Sequence, residues 1–297
     1  MLRLGLCCKF EKEPIKFLTT TALAAGKLSP AARGVKLAGL CLANALALER
    51  ALEYCAANGI GCFRVNSQVL PLKTHPEAGY EVRDLPGGPE IAAAFKKCGA
   101  LARRLGLRLT FHPDQFILLS SAGAAIRDAS VKELEYQAEV AGWIGADVIN
   151  IHGGGGYGDK PAALARVGAA LDQLSPAVRS RLVFENDDRV YTPADLLPFC
   201  EARGLPFVYD VHHHRCLPDG LSVEAVTARA LKTWNREPLF HLSSPREGWN
   251  GPTPRLHADH IDIKDLPACW RGLDLTIEVE AKAKELAIKR LRAHLNP

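Results

Sequence analysis

Eight short apolar runs, each followed by a longer stretch of helical character, most narrow what this chain can become. The runs cover residues 2–8, 60–66, 107–111, 147–151, a segment beginning at 182, then 206–209, 239–242 and 275–280. They are short and almost continuously apolar, as strands covered on both faces are. The helices between them carry their own punctuation. Ser29-Pro30 and Thr192-Pro193 with Asp195 are start signals, Ser130 with Glu133 reads as a capping box, and Gly106 and Gly204 close helices. Strand and helix in alternation mean parallel strands joined by crossover helices. About eight such units favour closure into a (β/α)8 barrel over an open sheet. With no internal repeat, linker or low-complexity segment, the expectation is an α/β fold, one (β/α)8 TIM barrel spanning residues 1–297 as a single domain.

Composition excludes several classes. The nine cysteines are odd in number, scattered and free of any C-x-x-C, which predicts reduced thiols in a cytoplasmic protein and not a disulfide framework. No charged-then-apolar leader opens the chain, and no run approaches 18 uninterrupted apolar residues, so neither signal peptide nor membrane span is expected. A net charge of +4 suits a phosphate-bearing substrate without singling out nucleic acid. Neither G-x-G-x-x-G nor G-x-x-x-x-G-K-[ST] is present where a nucleotide site needs it, so no nucleotide cofactor is expected.

The polar residues fall where a barrel keeps its chemistry, at the C-terminal strand ends. The second run leads through a loop to His75, the third ends at His112, the fourth at His152, the fifth at Glu185 and the sixth at Asp210. The seventh contains His241 and the eighth ends at Glu280. Residues 207–216, FVYDVHHHRC, concentrate the pattern. Read as an extended segment, three adjacent histidines cannot face one ion. Asp210 and His213 pair in D-x-x-H spacing, His212 is one step off, and His214 is left to orient a ligand or meet phosphate. Imidazole and carboxylate without thiolate suit Mn, Zn or Fe better than Mg or Ca. The surplus of donors over one tetrahedral site implies two or three ions, an arrangement suited to phosphoester cleavage. The glycines at 153–156 are expected to let backbone pass close to a ligand or metal, and Lys160 either meets phosphate or stands in solvent. Gly248 to Gly251 reads as a turn.

Taken in order, these residues resemble the UV damage endonucleases, relatives of endonuclease IV and the xylose-isomerase-like barrels. The resemblance covers nearly the whole chain. It rests on Arg64-Val65-Asn66-Ser67 with Pro71 and His75, Phe111-His112-Pro113-Asp114-Gln115-Phe116, and Ile151-His152-Gly153-Gly154 with Tyr157-Gly158-Asp159-Lys160. It continues through Phe184-Glu185-Asn186-Asp187, Asp210-x-x-His213-His214, His241-Leu242-Ser243-Ser244, His257-Ala258-Asp259-His260-Ile261 and Val279-Glu280-Ala281-Lys282. The resemblance implies nicking of damaged double-stranded DNA on the 5′ side of UV photoproducts, with up to three divalent ions, Mn first and Zn, Co or Fe as alternatives. It implies metal ligands at His75, His112, His152, Glu185, Asp210, His213, His241, His257 and Glu280, of which Glu185, Asp210, Glu280 and His241 carry the chemistry. Gln115 and Phe116 would probe the lesion, with Arg64, Asn66, Tyr157 and Lys160 as further DNA contacts. Two positions depart from the pattern. Leu239 stands where some members have a lysine that can be carboxylated, which removes an extra carboxylate near the metals, and Leu6 stands where some have an aromatic residue.

The expected chemistry is in-line attack on phosphorus by metal-activated water in a monomeric enzyme. Lys9, Arg64, Lys73, Lys160, Arg189, Arg215, Arg246 and Arg255 are the basic residues placed in or near rim loops. An abasic-site endonuclease, a metal-dependent sugar isomerase or epimerase, and a lesion-binding module that does not cut are the competing readings.

Overall fold

Residues 2–113 and 117–295 are described in a computed structural model. Eight parallel strands close on themselves in sequence order. They are β1 (Leu2–Cys7), β2 (Cys62–Val65), β3 (Arg108–Phe111), β4 (Val148–His152), β5 (Leu182–Glu185), β6 (Phe207–Asp210), β7 (Leu239–Leu242) and β8 (Leu275–Val279). The barrel closes through β1 and β8, in register from Leu2 opposite Leu275 to Leu6 opposite Val279. Each run read from the sequence is a strand, and the (β/α)8 architecture follows.

Side-chain parity explains the apolar runs. Ile149, Ile151, Phe184, Phe207, Tyr209, Phe240 and Leu242 belong to the large core shared with the helices. The alternate residues point into the barrel. There Val148, Val183, Val208 and Leu239 form a separate apolar cluster contributed by β4 to β7. On the β8-β1-β2-β3 side the buried interior residues include Thr276, Glu278, Arg64 and Thr110, together with Cys7 and Cys62. The lumen is thus half apolar and half ionic. Leu239 fills the apolar half, two residues below His241 on the same strand.

The helix Pro30–Ala57 is capped by the Ser29 hydroxyl, which accepts from Ala32 N–H. By length and composition it could cross a membrane, a property that the absence of an unbroken apolar run conceals. In the fold its Leu37, Cys41, Leu48, Leu52 and Cys55 face is buried, as in a core helix. Thr192 and Asp195 form the capping box expected of them at the start of Pro193–Arg203. Ser130 does not start a helix. The helix runs Ala124–Ile144, and Ser130 lies inside it, donating to the Ile126 carbonyl and accepting from Leu118 N–H. A loop donor thus satisfies a serine that sequence spacing alone assigns to a cap.

The glycines at 153 and 154 are needed for protein packing, which corrects the reading that they make room for a ligand. A Cβ on Gly153 would stand 2.6 Å from the Tyr191 ring, and one on Gly154, at φ +81°, 2.4 Å from the Ser120 hydroxyl.

Two other glycines give opposite expectations. In the helix Gly88–Arg104, a Cβ on Gly99 would meet the Trp143 carbonyl oxygen at 2.7 Å, whereas nothing lies within 4 Å of one on Gly142. Gly99→Ala should destabilise by about 1–3 kcal/mol, and Gly142→Ala should stabilise by about 0.5–1 kcal/mol. Urea unfolding midpoints measure both, and equal effects would contradict this account of the helix contact.

Candidate metal centre

Strand ends deliver the donors. His152, Glu185 and Asp210 are the last residues of β4, β5 and β6; His112 and Glu280 follow β3 and β8 by one residue, and His241 is the penultimate residue of β7. His213 arrives differently. Residues Val211–Cys216 form a short helix, not an extended segment, and Asp210 is its N-cap. Asp210 Oδ1 accepts from the His213 N–H at 2.8 Å, which leaves Oδ2 facing the His213 ring, 3.5 Å from Nδ1. The D-x-x-H spacing therefore works through the geometry of the first helical turn. Asn186 holds the Asp210 backbone from both sides, donating to its carbonyl at 2.9 Å and accepting from its N–H at 3.0 Å.

Glu185 is fully buried and sits at the centre. Its Oε1 is 3.0 Å from His241 Nδ1 and 3.4 Å from His213 Nδ1; its Oε2 is 3.1 Å from His112 Nε2 and 3.9 Å from His152 Nε2. Asn150 donates to Oε2 at 2.5 Å. Burial pushes the Glu185 carboxyl up, but the imidazoles of His241 and His152, with hydrogen bonds from His112 and His213, outweigh it and hold the group well below the usual carboxylate range. Burial pulls His241 down, and Glu185 overrides it to bring the ring up to about 10. His213 is lifted likewise, against burial, by Asp210 and Glu185, whereas burial prevails at His152 and lowers it.

The donors fall into three groups: His112-His152-Glu185, His112-His241-Glu280 and Glu185-Asp210-His213. Within each group, the ligand atoms lie within 4.8 Å of one another. Glu185 and His112 each belong to two groups, so adjacent cation positions could share ligands. The residues fit divalent ions on a further observation. Asp210 Oδ2, which faces the His213 ring inside the cluster, is buried without a hydrogen-bond partner, and such an atom is costly unless something else satisfies it. His257 approaches Glu280 Oε2 at 3.8 Å from the rim. His75 belongs to none of these groups; its Nδ1 accepts backbone N–H groups of Glu77 and Ala78, and it lines a separate cavity with Lys73 and Glu133.

Several sequence readings are corrected. Arg64 is not free to meet DNA: it is 6% exposed, and its guanidinium is paired with Glu278 and with Glu280 at 2.6 Å. Lys160 remains part-exposed while pairing with Asp195 at 2.7 Å, which leaves its expected phosphate contact neither met nor excluded. The His214 ring is taken up by Tyr209 OH and Asp219, leaving nothing for a ligand or phosphate. Gly248 to Gly251 is more than a turn, since it carries Trp249, which donates to Asp265 and covers His212 at 5.1 Å between ring centroids. Tyr157 is exposed, with the Arg166 guanidinium 5.7 Å from its ring centroid, and Asn66 accepts from the Gln68 N–H. Gln115 and Phe116 lie outside the described residues.

Sequence reasoning missed Thr110, Asn150 and Glu278, each two residues before a strand-end donor and therefore on the same inward face. Glu278 is buried, accepts from Thr110, lies 3.1 Å from His241 Nε2 and pairs with Arg64. Burial raises its pKa, but Arg64 and His241 bring it down to about 2. Fixing the far nitrogen of His241 in this way turns Nδ1 toward Glu185, as an outer carboxylate does for a ligating imidazole.

Fold and site together define a TIM-barrel protein with a clustered imidazole and carboxylate donor set at the C-terminal face of its strands. Within that class, the model of the UV-endonuclease UvdE family matches residues 2–297, and the chain belongs to that family. The UV DNA damage endonuclease of Deinococcus radiodurans is 37% identical over 98% of this chain and 94% of its own length. The crystal structure of SacUVDE superposes with a TM-score of 0.88 at 26% identity, covering 99% of this chain and 98% of that one. Endonuclease IV from Thermus thermophilus shares the fold with a TM-score of 0.62 at 17% identity, over 99% and 98%.

Breaking a buried ion pair leaves an uncompensated charge, so Arg64→Met alone should cost about 3–5 kcal/mol of stability. Arg64→Met with Glu278→Met should recover part of that loss, since Glu280 still lacks its partner. Chemical denaturation of the single and double variants checks it; simple additivity would show that the pair does not act as a unit.

Proposed function

We propose that the protein is a UV DNA damage endonuclease that hydrolyses a phosphodiester on the 5′ side of a photoproduct in duplex DNA. Membership of the UvdE family supports the nuclease class. The observation that carries the chemistry is Glu185, with its two oxygens facing different imidazole pairs. That geometry suits a carboxylate bridging two cation positions, and the three overlapping donor groups suit two to three divalent ions, with Mn as the expected species. Such ions, when bound, supply activation of a water molecule and neutralisation of charge on phosphorus and the leaving oxygen.

The chain's own residues do the rest. Glu185, Asp210 and Glu280 set the negative charge of the pocket, and His241 is held in one orientation by Glu278. The rings of Trp249 and His257 stand against His212 on the flank of the donor cluster. A cavity of about 280 Å³ lined by His152, Gly154, Asp188, Arg189 and His213 adjoins the donors and is the proposed path for the DNA backbone. Tyr157 and Asn66 serve as DNA contacts at the rim, with Gln115 and Phe116 as lesion probes. Damaged duplex is cheaper to kink, so selectivity can come from deformability.

Irradiated supercoiled plasmid with Mn tests this reading. Nicking should require irradiation and be abolished by chelator, and a defined cyclobutane-dimer duplex should be cut 5′ of the dimer. Cutting of an abasic duplex alone would favour the abasic-site reading, and no cutting at all would overturn the proposal. Glu185→Gln should lower incision by more than about 10²-fold, beyond the effect typical of a residue that only orients a ligand. A loss under about tenfold would remove Glu185 from the centre of the mechanism.

A further inference from the structure

Ion pairing sorts the basic residues of the rim. Lys73 is held by Glu81 at 2.9 Å, Lys160 by Asp195 at 2.7 Å and Arg255 by Asp188 at 3.4 Å. Arg189, Arg215 and Arg246 also have acidic partners, and Arg64 is buried. Lys9 is different: it is exposed and forms no ion pair with a described residue. Lys282, exposed in the loop after β8, and Lys284, half-buried at the start of the helix Lys284–Leu295, are unpaired among the described residues as well. All three line one cavity of about 280 Å³ with Cys8, and its inner wall is Glu280 and His257 of the donor cluster.

The backbone around this cavity is held in an unfavourable form. Cys8 has φ +61° and Lys284 φ +49°, the left-handed region that glycine takes freely and other residues do not. Neighbouring amides pin both segments. Cys8 N–H donates to the Arg64 carbonyl at 3.0 Å, while Lys282 and Ala283 donate to the carbonyls of Ala258 and Asp259, each at 3.0 Å. Two strained residues that face the same cavity beside reacting groups are the kind of outlier that points to function. A side chain is kept at Lys284 where the backbone favours having none.

We propose that this cavity is a binding site for a backbone phosphate of the DNA, beside the scissile one, with Lys9, Lys282 and Lys284 as its cations. The proposal rests on the endonuclease reading for the identity of the ligand, a phosphodiester. Three ammonium groups beside Glu280 draw the strand across the rim between β1 and β8 and offset the charge that the carboxylates set against an approaching polyanion. The site is indifferent to the lesion, since phosphate carries no sequence or damage information.

The test is the salt dependence of binding to an undamaged fluorescent duplex, measured with the full chain in Mn. Each phosphate contact removed lowers the slope of log Kd against log salt by about 1. Lys9→Ala, Lys282→Ala and Lys284→Ala combined should lower it by at least about 1, with metal content unchanged. Lys284→Gly separates binding from structure. Relief of the left-handed strain should leave the melting temperature equal or higher while the slope still falls. Lys284→Arg should keep the wild-type slope. A wild-type slope in both the triple variant and Lys284→Gly overturns the proposal. Where the triple variant loses metal or fold, Lys9→Ala, at an exposed position, decides: a wild-type slope in that variant overturns the proposal. Should wild-type protein fail to nick irradiated plasmid, the endonuclease reading falls, while the slopes still decide whether the cavity holds phosphate.

Discussion

A single carboxylate buried among four imidazoles governs the rest of the molecule. Glu185 has no contact with solvent, and an ionised group there is tolerable only with compensating positive charge at hand. His213 and His241, both lifted above the ordinary imidazole range, provide it, while the rings of His112 and His152 and the Asn150 amide stand against the other oxygen. These groups meet because the barrel brings neighbouring strand ends together at one height. The closed sheet is therefore the means by which residues far apart in sequence become mutual counter-ions.

The division of the barrel interior follows from that requirement. On the β4 to β7 side, the layer beneath the donors is apolar, with Val148, Val183, Val208 and Leu239 packed together. On the other side Arg64, Glu278 and Thr110 form a buried network that reaches His241 and Glu280 from below. Arg64 is a fixed internal cation between two carboxylates, and any ion that takes Glu280 as a ligand must share it with that guanidinium.

Much of this was legible in the sequence because strand ends and their donors coincide. The apolar runs, the barrel and the convergence of His112, His152, Glu185, Asp210 and Glu280 follow from reading which residue ends each run, His241 from its place inside the seventh run and His213 from its spacing to Asp210. The rest was hidden for definite reasons. The interior network lies two residues back on strands otherwise read as apolar, where a lone threonine, asparagine or glutamate looks incidental. Arg64 looks like a rim cation until β8 is known to place Glu278 and Glu280 opposite it. The histidine triplet reads as extended because nothing before it marks a helix start except Asp210, which serves as both ligand candidate and cap. Which rim lysines are unpaired depends on which acids fold back onto the others, and that is a tertiary fact.

The central claim is that Glu185 is shared between adjacent cation positions. Anomalous diffraction at the manganese edge from crystals grown with Mn tests it most directly. The account predicts at least two peaks, one beside each oxygen of Glu185, with His112 and His152 on one side and His213 and Asp210 on the other. A single ion bound away from Glu185, or ions touching only one of its oxygens, would contradict it.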